Sequence, residues 1–307
     1  MNLWNNIKTE KFDTADEFVS ALVRVAGESF IFRGQGCANW SLKPSSRRVP
    51  HFEEIRVQMK KARFGNEPAI WDEMSALNAF ASACDSSGLR IAGDCKELRQ
   101  ELEDRLLIAE DGGRIDPFMW TNAWPGRAEY RFQFMAQAQH HGIATRLLDW
   151  SKSPLVAAFF AVQQLIEDLK DKVYQDKDRD LPETVNSRQL AVILLDVQGA
   201  RLWRDSFSVR AVPGFTSHNI APQQGVFTFI QGFEVQDLDI LNLQHCERFL
   251  RRYTISIHHA KAVYMKCFHL GICAATMFPG YEGAVRQANS LRILQALDQC
   301  IIDCLAH

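Results

Sequence analysis

The chain has little charge of either sign to spare: 35 Lys and Arg against 37 Asp and Glu leave a formal net charge of −2. No global basic field draws it to nucleic acid or to a membrane surface, although a local basic groove fits within the count. A membrane-spanning helix needs roughly 18 consecutive apolar residues, and no such run occurs. The longest, Pro154 to Val162, is broken by Gln163 and Gln164. The opening residues, MNLWNNIKTEKFDTADEF, lack a basic start followed by an apolar stretch, so no signal peptide is expected and a cytoplasmic location is. No C-x-x-C pair exists among the eight cysteines, Cys37, Cys84, Cys95, Cys246, Cys267, Cys273, Cys300 and Cys304. Reduced thiols in apolar surroundings are expected, with neither a disulfide framework nor a metal site. The chain also lacks internal repeats, a G-x-G-x-x-G after a strand, a P-loop, G-x-S-x-G and H-E-x-x-H, which removes the commonest nucleotide, hydrolase and metalloprotease signatures.

What is present is ordinary globular material, 307 residues with 47% hydrophobic and 23% charged, long enough to bury a substantial core as one large domain spanning 1–307. Asp13-Thr14-Ala15-Asp16 before Phe18, Leu22 and Val25 predicts a capped amphipathic helix. Ser29 to Phe32 predicts a short buried strand stopped by Gly34. From about His51 to Leu107 apolar residues recur at helical spacing, and this region is read as a helical insertion covering about 51–126. Glu129 to His141 predicts a helix closed by Gly142, Ala144 to Trp150 a strand, and Ser153 to Leu169 a helix apolar on most faces. Leu190 to Val197 is a continuous apolar run, as a central strand requires. Further strands are expected at Gly225 to Phe229 and Tyr253 to Ile257, and helices near His259 to Leu270 and Tyr281 to Cys300. The class is α+β, with the helical insertion after the first strand.

Three constellations could carry chemistry. In Phe32-Arg33-Gly34-Gln35-Gly36, an arginine ends a buried strand, where its fork is costly unless paired. A planar guanidinium suits a phosphate, and glycines beyond it let a ligand approach the backbone. An arginine bonded to internal carbonyls or a carboxylate is the structural alternative. The second, Gln139 to Ser151 running into Pro154, gathers polar and aromatic groups around one strand-to-helix turn. Ser151 is placed to cap the helix that Pro154 begins, and the helix start offers N–H groups to an anion. His140 and His141 suit acid–base work or a structural place at a helix end. The third, Ile220 to Phe229, puts Gln223 and Gln224 before a strand. Amides orient ribose hydroxyls but do not titrate, and a plain turn is the alternative. Basic pairs at Arg47-Arg48, Lys60-Lys61 with Arg63, and Arg248 with Arg251-Arg252 are either phosphate contacts or solvated faces.

Together these segments resemble the FRG family, named for its Phe/Tyr-Arg-Gly motif. The resemblance rests on Phe32-Arg33-Gly34-Gln35; Trp40, Leu42, Pro44, Ser45 and Arg47; Gln139-His140, Gly142 and Thr145 to Trp150; Ser153-Pro154-Leu155 with Ala157 and Phe160; Gln224-Gly225 with Phe227; and Phe278-Pro279-Gly280. These pieces run from about residue 28 to 285. A second resemblance is to ADP-ribosyltransferases of the arginine-serine-glutamate class. It implies an ADP-ribosyltransferase-like mixed β core, with NAD as substrate and no metal. In that class an arginine before a glycine holds the NAD phosphates, as Arg33-Gly34 would. A later strand bears Ser-Thr-Ser, where this chain has Asp149, Trp150 and Ser151. The resemblance therefore assigns Arg33, Gly34, Gln35, Asp149, Trp150 and Ser151 to the dinucleotide. The class's third element is a glutamate at the start of a later strand. It bonds the nicotinamide ribose and stabilises an oxocarbenium-like transition state. Here Gln223 and Gln224 stand in that place, with His140 as a candidate base and Glu234 ten residues on. An amide gives less charge stabilisation than a carboxylate. The resemblance implies a bacterial toxin or anti-phage effector acting on RNA, DNA or protein, with an antitoxin protein as a further partner. An NAD glycohydrolase and a non-catalytic nucleotide- or partner-binding module are the alternatives.

Overall fold

The computed structural model describes residues 4–27, 29–48, 68–102, 126, 128–175, 187–201, 207–230 and 238–305. Seven strands form one mixed sheet: β1 (Lys8–Phe12), β2 (Phe30–Gln35), β3 (Leu148–Ser151), β4 (Gln189–Asp196), β5 (Phe207–Arg210), β6 (Gly225–Ile230) and β7 (Leu250–Ser256). Their order across the sheet is β1-β7-β4-β2-β3-β6-β5. β1 runs parallel to β7 at one edge, and every other pairing is antiparallel. The helices that matter here are α1 (Ala15–Arg24), α2 (Pro68–Ser86), α3 (Glu129–His140), α4 (Pro154–Gln175), α5 (Ala260–His269) and α6 (Tyr281–Leu305). The architecture is α+β, as the sequence predicts.

Local rules account for several of these elements. Thr14 caps α1, its hydroxyl accepting from the Glu17 N–H at 3.2 Å, with Asp16 and Glu17 at the positive end of the helix dipole. β4 lies inside the sheet, and Leu190 to Leu195 have no exposed surface, which is why that strand reads as an unbroken apolar run.

Alternation along the strands separates two faces. On one, Phe30, Phe32, Leu190, Val192 and Leu194 pack against α1, α4, α5 and α6. On the other, Ile31, Leu148, Trp150, Ile193 and Val226 pack against Trp4, Leu42, Leu238, Leu241 and Phe249. A third core joins Phe227 and Phe229 of β6 to Leu77 of α2 and to Phe132 and Met135 of α3. Phe227 and Phe229 alternate with Val226, so this third core lies on the same face as the first. The first face therefore carries two separate cores, and the boundary between them falls where β2 meets β3.

Three expectations change. β2 does not stop at Gly34 but continues to Gln35, hydrogen-bonded to β4 throughout. β1 precedes β2, so the helical insertion follows the second strand; its described parts are α2 and the helical stretch 96–102. The strand expected over Ala144 to Trp150 begins only at Leu148. The expected strands around Phe30, Trp150, Leu190 and Val226 do share one sheet. No helix among the described residues is long and apolar enough to cross a membrane.

Candidate functional site

β2 and β3 touch at a single pair, Phe32 opposite Ser151, before they part. One side of β2 at this point is closed by α4. A Cβ on Gly34 would stand 1.9 Å from the Ala157 carbonyl oxygen, and one on Gly36 would stand 2.5 Å from the Leu165 nitrogen. The two glycines are thus pressed against the backbone of α4, and Gly34 also borders the cavity described below. Ala157 and Ala161 complete a close strand-to-helix contact that no larger side chain would allow.

Where the strands part, Arg33 fills the gap. Its guanidinium Nη1 donates to the Asp149 carbonyl at 2.7 Å, taking a backbone acceptor that β2 has left unpaired. The residue is 8% exposed, its Nε is buried without a hydrogen-bond partner, and no carboxylate among the described residues pairs with it. Burial pushes its pKa down to about 10; the neighbouring charge of Arg48 adds to this and Asp149 opposes it. The group remains a cation at neutral pH and borders a cavity.

That cavity has a volume of about 320 Å³. Arg33, Arg48 and Arg286 bring positive charge to its wall, and Asp149 and Glu282 bring carboxylates. Gln139, Gln164, Asn219 and Gln223 contribute amides, and Phe32, Trp150, Phe160 and Phe278 contribute aromatic rings. His140, Gly34, Ser151 and Ala157 complete the lining. Phe160 and Phe278 meet edge to face at 5.9 Å. Arg286 lies over the Phe278 ring at 4.5 Å and pairs with Glu282 at 2.8 Å. Cation, aromatic faces and amides in one concave site suit a ligand that combines phosphate, sugar hydroxyls and a flat ring.

The 139–151 segment forms the wall facing Arg33. Thr145 donates its hydroxyl to the Gln139 side-chain oxygen, and the Gln139 amide donates to Asp149 Oδ1 at 2.7 Å. His140, at the C-terminal end of α3, packs edge-on to Phe227 at 6.3 Å. Phe227 lies directly opposite Asp149 across β3 and β6, so the imidazole and the carboxylate share this part of the wall. Burial lowers the His140 pKa, Asp149 works against that, and His141 adds to it.

The remaining expected residues separate. Ser151 lines the cavity, but its hydroxyl is committed, donating to the Gln223 carbonyl at 2.7 Å and accepting from the Ser153 N–H at 3.0 Å. The side-chain bond at the start of α4 comes from Ser153, whose Oγ accepts from Val156 N at 3.4 Å, which corrects the cap expected from Ser151. Trp150 borders the cavity while its indole N–H donates to Thr228 Oγ1 at 2.8 Å and its ring belongs to the opposite core. Gln35 is buried outside the lining, its amide donating to the Ser41 carbonyl at 3.0 Å. Gln223 lines the cavity and donates to the Met277 carbonyl at 3.0 Å. Gln224 is exposed, in the left-handed region at φ 48°, outside the lining. Glu234, Lys60, Lys61 and Arg63 lie outside the described residues.

Of the basic pairs, Arg48 reaches the cavity. Arg251 and Arg252 instead cover the rings of Phe30 and Trp4 at 4.9 and 4.6 Å. Among the described residues no group of three or more His, Cys, Asp or Glu is placed to hold a metal ion. Gln164, Asn219, Glu282 and Arg286 were not marked by the sequence. The one visible sign was the Gln163–Gln164 interruption of an otherwise apolar helix. Gln164 uses its side-chain oxygen to accept from Gly36 N at 3.4 Å, and Gln163 accepts from buried Ser290 at 3.0 Å.

Comparison with models of protein families matches an FRG domain to residues 93–170. That stretch therefore resembles an FRG domain, and it includes α3, β3 and most of α4. Arg33 lies before that stretch, yet Arg33 and Gly34 are seated directly on its Asp149 and Ala157. No curated protein matches the chain, and no solved structure does.

Proposed function

We propose that the chain is an NAD-dependent ADP-ribosyltransferase, with the dinucleotide entering the cavity between β2 and β3. The observation that carries this reading is Arg33: a buried guanidinium with no carboxylate partner among the described residues, an orphaned Nε and a lining position. A buried arginine left so incompletely paired is costly in the empty protein. A phosphate would repair that deficit with charge-assisted, bidentate bonds. Arg48 adds a second cation, and Phe160 and Phe278 offer faces for a flat ring. A cavity of about 320 Å³ is at the small end of ligand sites and suits one mononucleotide half of NAD. The acceptor is an RNA, DNA or protein nucleophile reached through the open side, in keeping with a toxin or anti-phage role.

The test is calorimetric NAD binding together with nicotinamide release in the presence of RNA, DNA and protein pools. Arg33→Ala is expected to weaken NAD binding about ten- to a hundredfold, the worth of losing charge-assisted hydrogen bonds. Arg33→Lys should recover part of it. Unchanged affinity in Arg33→Ala would remove the reading. A second reading, a binding module without turnover, is favoured by one observation. Gln223 brings an amide already donated to Met277, and Gln224 faces away. Tight NAD binding without nicotinamide release from any acceptor pool would select that module.

A further inference from the structure

Two carboxylates line the cavity, and they differ in what surrounds them. Glu282 is neutralised by Arg286, which holds one of its oxygens through Nε at 3.0 Å and Nη2 at 2.8 Å. Asp149 has no ion-pair partner among the described residues. Its Oδ1 accepts one neutral hydrogen bond, from the Gln139 amide. That amide is in turn oriented by Thr145, so the carboxylate is fixed in place by neutral groups. Its own carbonyl holds the Arg33 guanidinium. A phosphate bound by Arg33 thus brings the sugar attached to it within reach of the Asp149 side chain. Next to it, edge-on to Phe227, is the His140 ring, whose nitrogens hold no hydrogen bond among the described residues.

We propose that Asp149 provides the negative charge at the reacting ribose that Gln223 and Gln224 cannot provide, with His140 beside it to take the acceptor's proton. The inference rests on the NAD reading of the cavity. In the step, the bond between the ribose C1′ and the nicotinamide nitrogen breaks. The electron pair leaves with nicotinamide, whose ring loses its positive charge, and cationic character passes to the ribose. The Asp149 carboxylate stabilises that cation electrostatically and takes no part in the proton transfer. The acceptor's lone pair forms the new bond to C1′, and its proton passes to the neutral imidazole of His140 and then to water. The acceptor is therefore a group that must lose a proton on transfer, a hydroxyl or a neutral amine.

The charge can be tested without turnover, because NAD carries a cationic nicotinamide and NADH a neutral one. The wild-type chain is expected to bind NAD about tenfold more tightly than NADH, a modest figure for one charge pair partly screened by solvent. In Asp149→Asn the side-chain oxygen still accepts from Gln139, so the fold should hold, as a thermal melt would check. The preference for NAD should vanish while NADH affinity is unchanged, and nicotinamide release should fall by about a hundred- to a thousandfold. An unaltered NAD-to-NADH ratio in Asp149→Asn would overturn the assignment even if both dinucleotides bind. Equal wild-type affinity for the two would also overturn it, and would leave the dinucleotide site standing. Failure of the wild type to bind either dinucleotide would remove the cavity reading and this inference together.

Discussion

Two arginines are buried within the same part of the fold and are treated in opposite ways. Arg146, 2% exposed, meets Glu73 of α2, its Nε donating at 2.7 Å while its backbone N–H donates to the other carboxylate oxygen at 2.6 Å. Charge and hydrogen-bonding capacity are matched, and the pair fastens the insertion to the start of β3. Arg33, 8% exposed, receives one backbone carbonyl and, among the described residues, no carboxylate. A buried ion pair that is complete is a fastening; Arg33 instead borders a cavity with no carboxylate among the described residues paired to it.

The sharpest way to break this contrast is to remove one member at each place. Glu73→Ala leaves Arg146 charged and buried without its carboxylate, and should cost about 3–5 kcal/mol in a denaturant melt. Arg33→Met removes a charge that the empty protein never fully pairs. It should leave stability unchanged or raise it, while NAD no longer shifts the melting temperature. Equal destabilisation by both would mean that Arg33 is a structural arginine after all.

The next largest effect belongs to the glycine beside Arg33. Gly34→Ala drives a methyl into the Ala157 carbonyl, and should cost at least about 1–3 kcal/mol by forcing α4 off the strand. Loss of NAD binding with no loss of stability in this variant would return Gly34 to the ligand.

The smallest effect is a pH dependence. His140 has its folded pKa held below the ordinary histidine value by burial. The unfolded chain therefore takes up this proton first as pH falls. The stability that neutral His140 contributes is present above pH of about 6.5 and is lost as pH drops through the folded pKa. His140→Phe should flatten the fall in melting temperature between about pH 7 and pH 5. A phosphate-mimicking ligand on Arg33 should leave that slope in place.

Legibility followed the range of the interactions. The α1 cap, the apolar β4 run and the α4 helix are set by neighbours in sequence, and all were readable. β1 and β5 were not, because each is a short strand at a sheet edge whose register comes from a distant partner, β7 or β6. Gly34 was read as a stop when it is a contact, since a glycine pressed against a helix looks the same in sequence as one ending a strand. Arg33 was marked because a charged group ending a buried strand demands an explanation, and Asp149 and Ser151 through the resemblance; all three line the cavity. The α6 side of the cavity, Glu282 and Arg286, was hidden among ordinary charged helix positions. The choice between Gln223 and Gln224 turned on one left-handed residue ending the turn Ile220–Gln223.

The lone Phe32–Ser151 pairing has a mechanical meaning. β1, β7, β4 and β2 form one leaf, and β3, β6 and β5 form the other, β3 pairing along its whole length with β6. The leaves share a spine one residue pair long, and the cavity opens along it. Arg33 belongs to the first leaf and Asp149 to the second, so any ligand that engages both acts as a clasp across the spine. Occupancy should then be felt as stiffness: amide hydrogens near Phe32 and Ser151 should exchange more slowly with ligand bound, while those deep in β4 keep the same pace.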